Sequence, residues 1–321
     1  MIRFVVTRHH DFTLRSTRRD PAAPPIQVMT YDQLIAARRL GEMTTVFTDL
    51  DRLSSHDLEL SALIHRSLAA AKVPALNDPA RVKTRYALLR SLHEAGINDF
   101  NVYRVDEERL PKRYPVFVRR DSGHGRPLSG LLEDREQLIR AIDAAVEAGA
   151  PASNLLIIEY AAEPVLPGVF RKLAVSRIGD RLGPQPSVHD DQWLVKHGKL
   201  GVATEALYEE EWQFFRDMPH AEDLWRAFEI ASIAYGRADF GIVGGRVQIY
   251  EINTNPTIHS DTAHASQTRQ RSLHYAWQLH IDRLRDLDAK YRGSGSVDLN
   301  HARLSSHQRL RLRPIRTRRV P

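Results

Sequence analysis

The sequence predicts a protein of mixed α/β and α+β class, and three observations lead there. Over the first 75 residues, strand-like apolar runs alternate with helical ones, the order of a small α/β domain. Strands and amphipathic helices continue to about residue 292 and include one hairpin signal, Gly244-Gly245. The chain has 321 residues, 42% hydrophobic and 27% charged, enough to build two or three packed domains.

Ile2 to Thr7 reads as an opening strand and Thr44 to Phe47 as a second, followed by the turn-like Thr48-Asp49-Leu50-Asp51. Between them lie a loop, Asp20 to Pro25, and a short helix, Tyr31 to Leu40. Ser54 or Ser55 caps a helix to about Lys72, with Leu58, Leu60, Ile64 and Leu68 mostly on one face. Pro74 to Pro79 joins this domain, residues 1–75, to the next.

From Ala80 a helix runs to Gly96, a residue suited to the left-handed cap. Strands come next near Phe100 and at Pro115 to Val118. The second feeds Arg119-Arg-Asp-Ser-Gly-His-Gly-Arg-Pro127, a glycine-containing loop. Asp134 to Ala148 is an amphipathic helix and Leu155 to Ile158 a buried strand. Lys172 to Ile178 and Trp193 to Lys196 read as strands, joined by a loop containing Pro184, Pro186 and His189. Ala221 to Tyr235 and Ala265 to Tyr291 are helical, and Gly293-Ser-Gly-Ser296 reads as a flexible linker.

The absence of cysteine excludes disulfides, thiolate metal sites and thiol nucleophiles, so any metal must sit on oxygen or imidazole. No run approaches the roughly 18 to 20 apolar residues of a membrane span, and Met1 to His10 lacks a signal-peptide core. A cytoplasmic location is the expectation. The net charge of +6 resides in the tail: seven arginines lie beyond Asn300, and removing them leaves the rest at −1. The tail, residues 293–321, is expected to be a flexible solubilising end, with nucleic acid as its alternative partner. None of the 15 histidines forms an i, i+4 zinc pair enclosing a glutamate.

The informative segment is Arg237-Ala-Asp-Phe-Gly-Ile-Val-Gly-Gly-Arg-Val-Gln-Ile-Tyr-Glu-Ile-Asn-Thr-Asn-Pro256. Glu251 and Asn253 lie two apart on a strand, so both face one side while Ile252 points to the core. Asp239, on the partner strand, adds a carboxylate to an all-oxygen set suited to Mg2+ bridging a polyphosphate. Arg237 shares the face of Asp239 and is placed to neutralise charge on a transferred phosphoryl group. Counting imposes a condition. A strict two-residue turn at Gly244-Gly245 pairs Asp239 with Tyr250 and sends Glu251 to the other face. The shared site therefore requires a three-residue connection or a compensating bulge.

This segment resembles the signature of the ATP-grasp superfamily, in which an Arg-x-Asp strand and a hairpin precede Glu-x-Asn-x-x-Pro. D-alanine:D-alanine ligases and glutathione-synthetase-like enzymes carry the pattern, and the likeness covers roughly residues 44 to 260. It implies an ATP-grasp domain over residues 76–292, with a small lid at about 112–160, behind an N-terminal Rossmann-like domain. By the resemblance, Arg119 takes the basic position on the nucleotide phosphates, where the family usually has Lys-Pro. A guanidinium still pairs with phosphate, through a planar fork. Ser122, Gly123 and Gly125 match the mobile glycine loop over the phosphates.

Glu159 and Tyr160, in Ile157-Ile-Glu-Tyr-Ala161, match the adenine hinge, with Glu159 accepting from the exocyclic amine. Glu163 is placed at the ribose and Lys172 at the nucleotide. Lys83 and Arg85 both fit the basic position of the opening helix, and spacing to Gly96 favours Arg85. His189 and His259 flank the matched strands, where an acceptor site would lie.

The resemblance implies ATP and Mg2+, with Mn2+ as an alternative, and a carboxylate-amine ligase reaction through an acyl phosphate. A kinase, or a nucleotide-binding protein without turnover, are the alternatives. The first domain and the Gly183 to Lys199 segment, which would shape the acceptor pocket, carry no motif that names the substrates.

Overall fold

The computed structural model describes residues 1–107, 109–123, 125–258 and 263–309. His124, His259 and the tail beyond Arg309 lie outside the described residues. The first unit contains β1 (Ile2–Val6), α1 (Arg15–Arg19), β2 (Ile26–Thr30), α2 (Tyr31–Ala36), β3 (Arg39–Gly41), β4 (Thr44–Phe47), α3 (Ser55–Ala70) and β5 (Ala75–Leu76). Its four-stranded sheet has the order β2-β1-β4-β5, with all pairs parallel. Alternation along β1 sends Val5 to a core with Phe47 and α2 and α3, and Phe4 and Val6 to another with Tyr235 and Leu284. Ser54 caps α3, its side chain accepting from Asp57 N.

The middle unit comprises α4 (Arg85–Glu94), β6 (Val102–Arg104), β7 (Val116–Arg120), α5 (Arg135–Glu147) and β8 (Leu155–Glu159). Its antiparallel sheet has the order β6-β8-β7. Helix α4 begins five residues later than Ala80 because Asp78 to Val82 forms a turn instead.

The third unit contains β9 (Pro164–Leu166), β10 (Val169–Ile178), β11 (Arg181–Asp190), α6 (Glu205–Asp217), α7 (Ala221–Ala231), β12 (Tyr235–Val243), β13 (Arg246–Asn253) and α8 (Gln267–Ala289). Its sheet runs β11-β10-β12-β13, with β9 also on β10. Leu173, Val175, Phe240 and Ile249 bury one face against α4 and α7. The opposite face turns toward the middle sheet and forms a cleft.

Several sequence expectations change here. The stretch holding Pro184, Pro186 and His189 is strand β11, not a loop. It lies at the sheet edge, where a proline without an N–H is tolerated, and a register shift falls between Lys172 and Ala174, opposite Pro186 and Ser187. Trp193 to Lys196 is irregular instead of extended. Helix α7 stops at Ala231, where Ser232 takes a left-handed φ of 57°, and Tyr235 starts a strand. Helix α6 gives no clear signal in the sequence, because Glu211 occupies a buried position on it and interrupts its apolar stripe.

Residues 296–309, the described end of the chain, also differ from a flexible tail. Strand β14 (Ser296–Asp298) pairs with β3, and α9 (Ala302–Arg309) comes after it. Val297, Leu299 and Leu304 are buried in the core of the first unit. Val297 and Leu299, ahead of the arginines, and Leu304, after the first of them, make this segment part of the fold, and truncation after Gly295 would uncover that core. Among the described residues, no helix is long and apolar enough to cross a membrane.

Candidate active site

The hairpin condition is met by a bulge. Gly244 and Gly245, at φ 55° and 77°, form the two-residue turn, with Val243 opposite Arg246. Phe240 still pairs with Ile249, but Asp239 pairs with Glu251, so Tyr250 is the extra residue. The Tyr250 hydroxyl donates to Ala161 O at 2.9 Å. Its ring passes over Gly241, where a Cβ would stand 2.2 Å from the Tyr250 oxygen, so any side chain there would displace the tyrosine. The shift turns Asp239 and Glu251 to one face, beside Arg237 and Asn253, which pair with each other.

Basic side chains surround these acids. Asp239 is buried, with Lys172 Nζ at 2.9 Å from Oδ2 and Arg237 Nε at 2.7 Å from Oδ1. Burial works against the Arg237 charge, but Asp239 and Glu251 outweigh it and raise its pKa. Glu251 accepts from Arg85 Nη2 at 3.2 Å. Arg85 also donates to the carbonyls of Arg120, Asp121 and Gly123 at 3.1, 2.7 and 3.0 Å, tying the end of β7 to the acidic strand. Burial, then the neighbouring Arg85, lowers the Arg119 pKa to about 10 against the pull of Glu251, leaving it charged at neutral pH. Two guanidiniums held this close favour a multiply charged anion between them.

One cleft is lined by Arg119, Gly125, Glu159, Tyr160, Lys172, Asp239 and Glu251, uniting seven of the sequence-selected residues. Ser122 hydrogen-bonds Asn154 Oδ1 at 3.1 Å, and Gly123 has φ 85°. Gly125 has open space where a Cβ would stand. Asn253 lies at the end of β13, its Oδ1 accepting from Asn255 N at 2.8 Å.

Two residues are engaged differently from their expected contacts. Glu159 is buried: Oε2 accepts from Asn101 N at 2.9 Å, Oε1 from Tyr103 at 3.0 Å, and Arg113 stands 3.3 Å from Oε2. Its carboxylate is thus committed to the middle sheet. Glu163 accepts from Gly244 N at 2.9 Å and caps the hairpin turn. His189 is buried beside Tyr208, and burial, with Arg171 and Arg269, lowers its pKa to about 4.

The structure also brings in residues that belong to none of these motifs. Trp193 packs on Phe117 and Tyr160, with ring centroids 5.1 and 5.7 Å away, and Leu194, Val195 and Lys196 continue along the same wall. Their signal in the sequence is three consecutive apolar residues within a polar stretch, a pattern that a short strand shares.

No family model and no curated protein matches the sequence. Among solved structures, the chain is similar to the D-alanine–D-alanine ligase from Bacillus anthracis complexed with ATP. The TM-score is 0.52 at 13% identity, over 90% of this chain and 96% of that one. A second crystal structure of the D-alanine–D-alanine ligase from Bacillus anthracis gives a TM-score of 0.52 at 14% identity, over 90% and 98%. The chain has the ATP-grasp fold.

In an ATP-grasp fold the nucleotide and its metal ions are the groups to test against these side chains. Among the described residues, no group of three or more His, Asp or Glu is gathered to hold a metal ion by itself. The donors present are two carboxylates, Asp239 and Glu251, and the amide of Asn253. Such a set fits Mg2+, which commonly takes one or two carboxylates and completes its shell with water and phosphate oxygens. Lys172 and Arg85 show the affinity of these carboxylates for positive charge.

Proposed function

We propose that the protein is an ATP- and Mg2+-dependent ligase that activates a carboxylate as an acyl phosphate and passes the acyl group to an amine. The observation that carries this reading is the Tyr250 bulge, which sets Asp239 opposite Glu251 beside a cleft lined with Arg119 and Lys172. In this proposal Asp239, Glu251 and Asn253 hold the metal, which when bound supplies charge neutralisation at the phosphates. Arg85, Arg119 and Lys172 bind phosphate oxygens, with Ser122, Gly123 and Gly125 closing over them. Tyr160, Trp193 and the backbone after Glu159 enclose the base.

The acceptor carboxylate oxygen attacks the γ-phosphorus, the bond to the β-phosphate oxygen breaks, and ADP leaves. The amine then attacks the acyl carbon, phosphate departs, and the amine loses its proton. Arg237 is positioned to offset the charge that gathers when two anions are brought together, so catalysis rests on orientation and electrostatics. No protein nucleophile is needed, in keeping with the cysteine-free sequence.

The test is ADP release across a panel of carboxylate and amine pairs, with product identification. A condensed product that requires both partners is expected. A phosphorylated product that accumulates with an amine present would replace the ligase reading by a kinase one, and nucleotide binding without turnover across the panel would count against both.

A further inference from the structure

The turn between β4 and α3 clamps the loop at the end of the acidic strand. Asp49 is 2% exposed and holds a left-handed φ of 54°, a conformation that persists in a non-glycine residue where surrounding contacts enforce it. Its Oδ2 accepts from Thr7 N at 2.8 Å and from Thr7 Oγ1 at 2.9 Å. Its Oδ1 accepts from Asn255 Nδ2 at 3.0 Å, with His10 Nδ1 at 3.1 Å and Arg52 Nε at 3.6 Å. The next residue, Leu50, donates its N–H to Thr254 Oγ1 at 3.3 Å. Thr254 and Asn255 are both buried.

Asn255 connects this turn to the acidic strand. Its backbone N–H donates to Asn253 Oδ1 at 2.8 Å, while its side chain accepts from Thr13 Oγ1 at 2.7 Å and donates to Asp49 and, at 3.2 Å, to His10 O. Asn253 is the last residue of β13, so the ladder ceases to fix the chain where this amide must be aimed. A metal ligand at a strand end needs support from the adjoining loop.

We propose that Asp49 is a positioning residue that holds Asn255, and through it the Asn253 amide, in the geometry for binding a divalent cation beside Glu251. This rests on the reading of Asn253 as a metal ligand. The contact crosses from the N-terminal domain to the acidic strand, so docking of that domain and assembly of the cation site are one event.

The test uses the full chain with Mn2+ as a spectroscopic probe and a non-hydrolysable ATP analogue. Mn2+ affinity, metal-free analogue affinity and the thermal midpoint are measured for each variant. Asp49→Asn turns a donor toward Asn255 Nδ2, and weakening of Mn2+ binding by about 10-fold or more is expected, with analogue affinity within about 2-fold.

If Asp49→Asn does not fold, Asn255→Ser removes the same contact without a charge and is expected to give the same division. Unchanged Mn2+ affinity in the folded variant, while Asn253→Ala loses it, would overturn the proposal. Equal loss of Mn2+ and metal-free analogue would overturn it too. Unchanged Mn2+ affinity in Asn253→Ala would instead strike the ligand assignment itself.

Discussion

Glu251 and Glu159 border the same cleft from facing sheets, yet their carboxylates meet different kinds of partner. The Glu251 side chain is 28% exposed and is held by Arg85 from a neighbouring helix, whereas that of Glu159 is 5% exposed. Glu159 accepts from a backbone N–H and a tyrosine hydroxyl beside a third, charged neighbour. A carboxylate that accepts from a backbone N–H and a side chain of its own sheet, with an arginine beside it, helps to fix that sheet. One held by a cation from another element can exchange that partner for a metal or rearrange when phosphate arrives. Position along a strand therefore says less about function than the origin of the partners.

Substitution of each residue by its amide puts this contrast to the test. Glu251→Gln is expected to lower turnover about 10^3-fold, or roughly 4 kcal/mol of barrier, while moving the thermal midpoint by only about a degree or two. Steady-state ADP release and calorimetry on one preparation check both halves. Full activity in this variant would remove the metal role assigned to Glu251.

Acid probes the structural side of the comparison through two buried histidines, His189 and His280, whose pKa values burial lowers to about 4. The unfolded chain takes up these protons near 6.5 while the native one stays neutral. Stability from this source is therefore complete above 6.5 and is lost as pH falls toward 4. The expected loss approaches about 3 kcal/mol per histidine at the lower limit. Denaturant unfolding at several pH values should show the loss, and His280→Gln should reduce its slope.

Glu159→Gln is expected to reverse the Glu251 pattern. Leaving a donor facing Asn101 or Tyr103 should cost about 2 kcal/mol of stability, with turnover at saturating ATP retained within about 10-fold. A selective rise in KM for ATP with unaltered stability would return Glu159 to the adenine contact that the sequence suggested.

The smallest effect belongs to Glu163→Ala, which removes one cap from an exposed hairpin turn and should cost about 1 kcal/mol or less. Its KM for ATP should not move. A several-fold rise would restore the ribose role.

Much of the architecture was legible because local chemistry dictates it. Ser54 caps a helix where its sequence places it, the helix read from Asp134 begins at Arg135 with Asp134 as its cap, and Leu155 to Ile158 is a buried strand. The failures share a physical origin. Pro184 and Pro186 speak against a strand unless it lies at an edge, and edge position belongs to the sheet, not the segment. Glu211 speaks against a helical core face until Ser187 and Arg269 are found beside it. The described part of the tail, a segment read by its arginines, packs through Val297, Leu299 and Leu304.

The site divides in the same way. The sequence by itself determined the donor atoms: the two-residue spacing of Glu251 and Asn253 puts both on one face of any strand, because side chains alternate. Only the tertiary structure decided that Asp239 joins them. The two-glycine turn alone would have turned Glu251 away, and the bulge that reverses this depends on Tyr250 lying over Gly241 and reaching Ala161. Likewise, the resemblance places Glu159 and Glu163 at the nucleotide, while only the structure shows the groups they meet within the protein, Asn101, Tyr103 and Arg113 for one and Gly244 for the other. A residue's type and periodicity are local properties, whereas the partners that satisfy its charge come from segments far away in the chain and are set by packing.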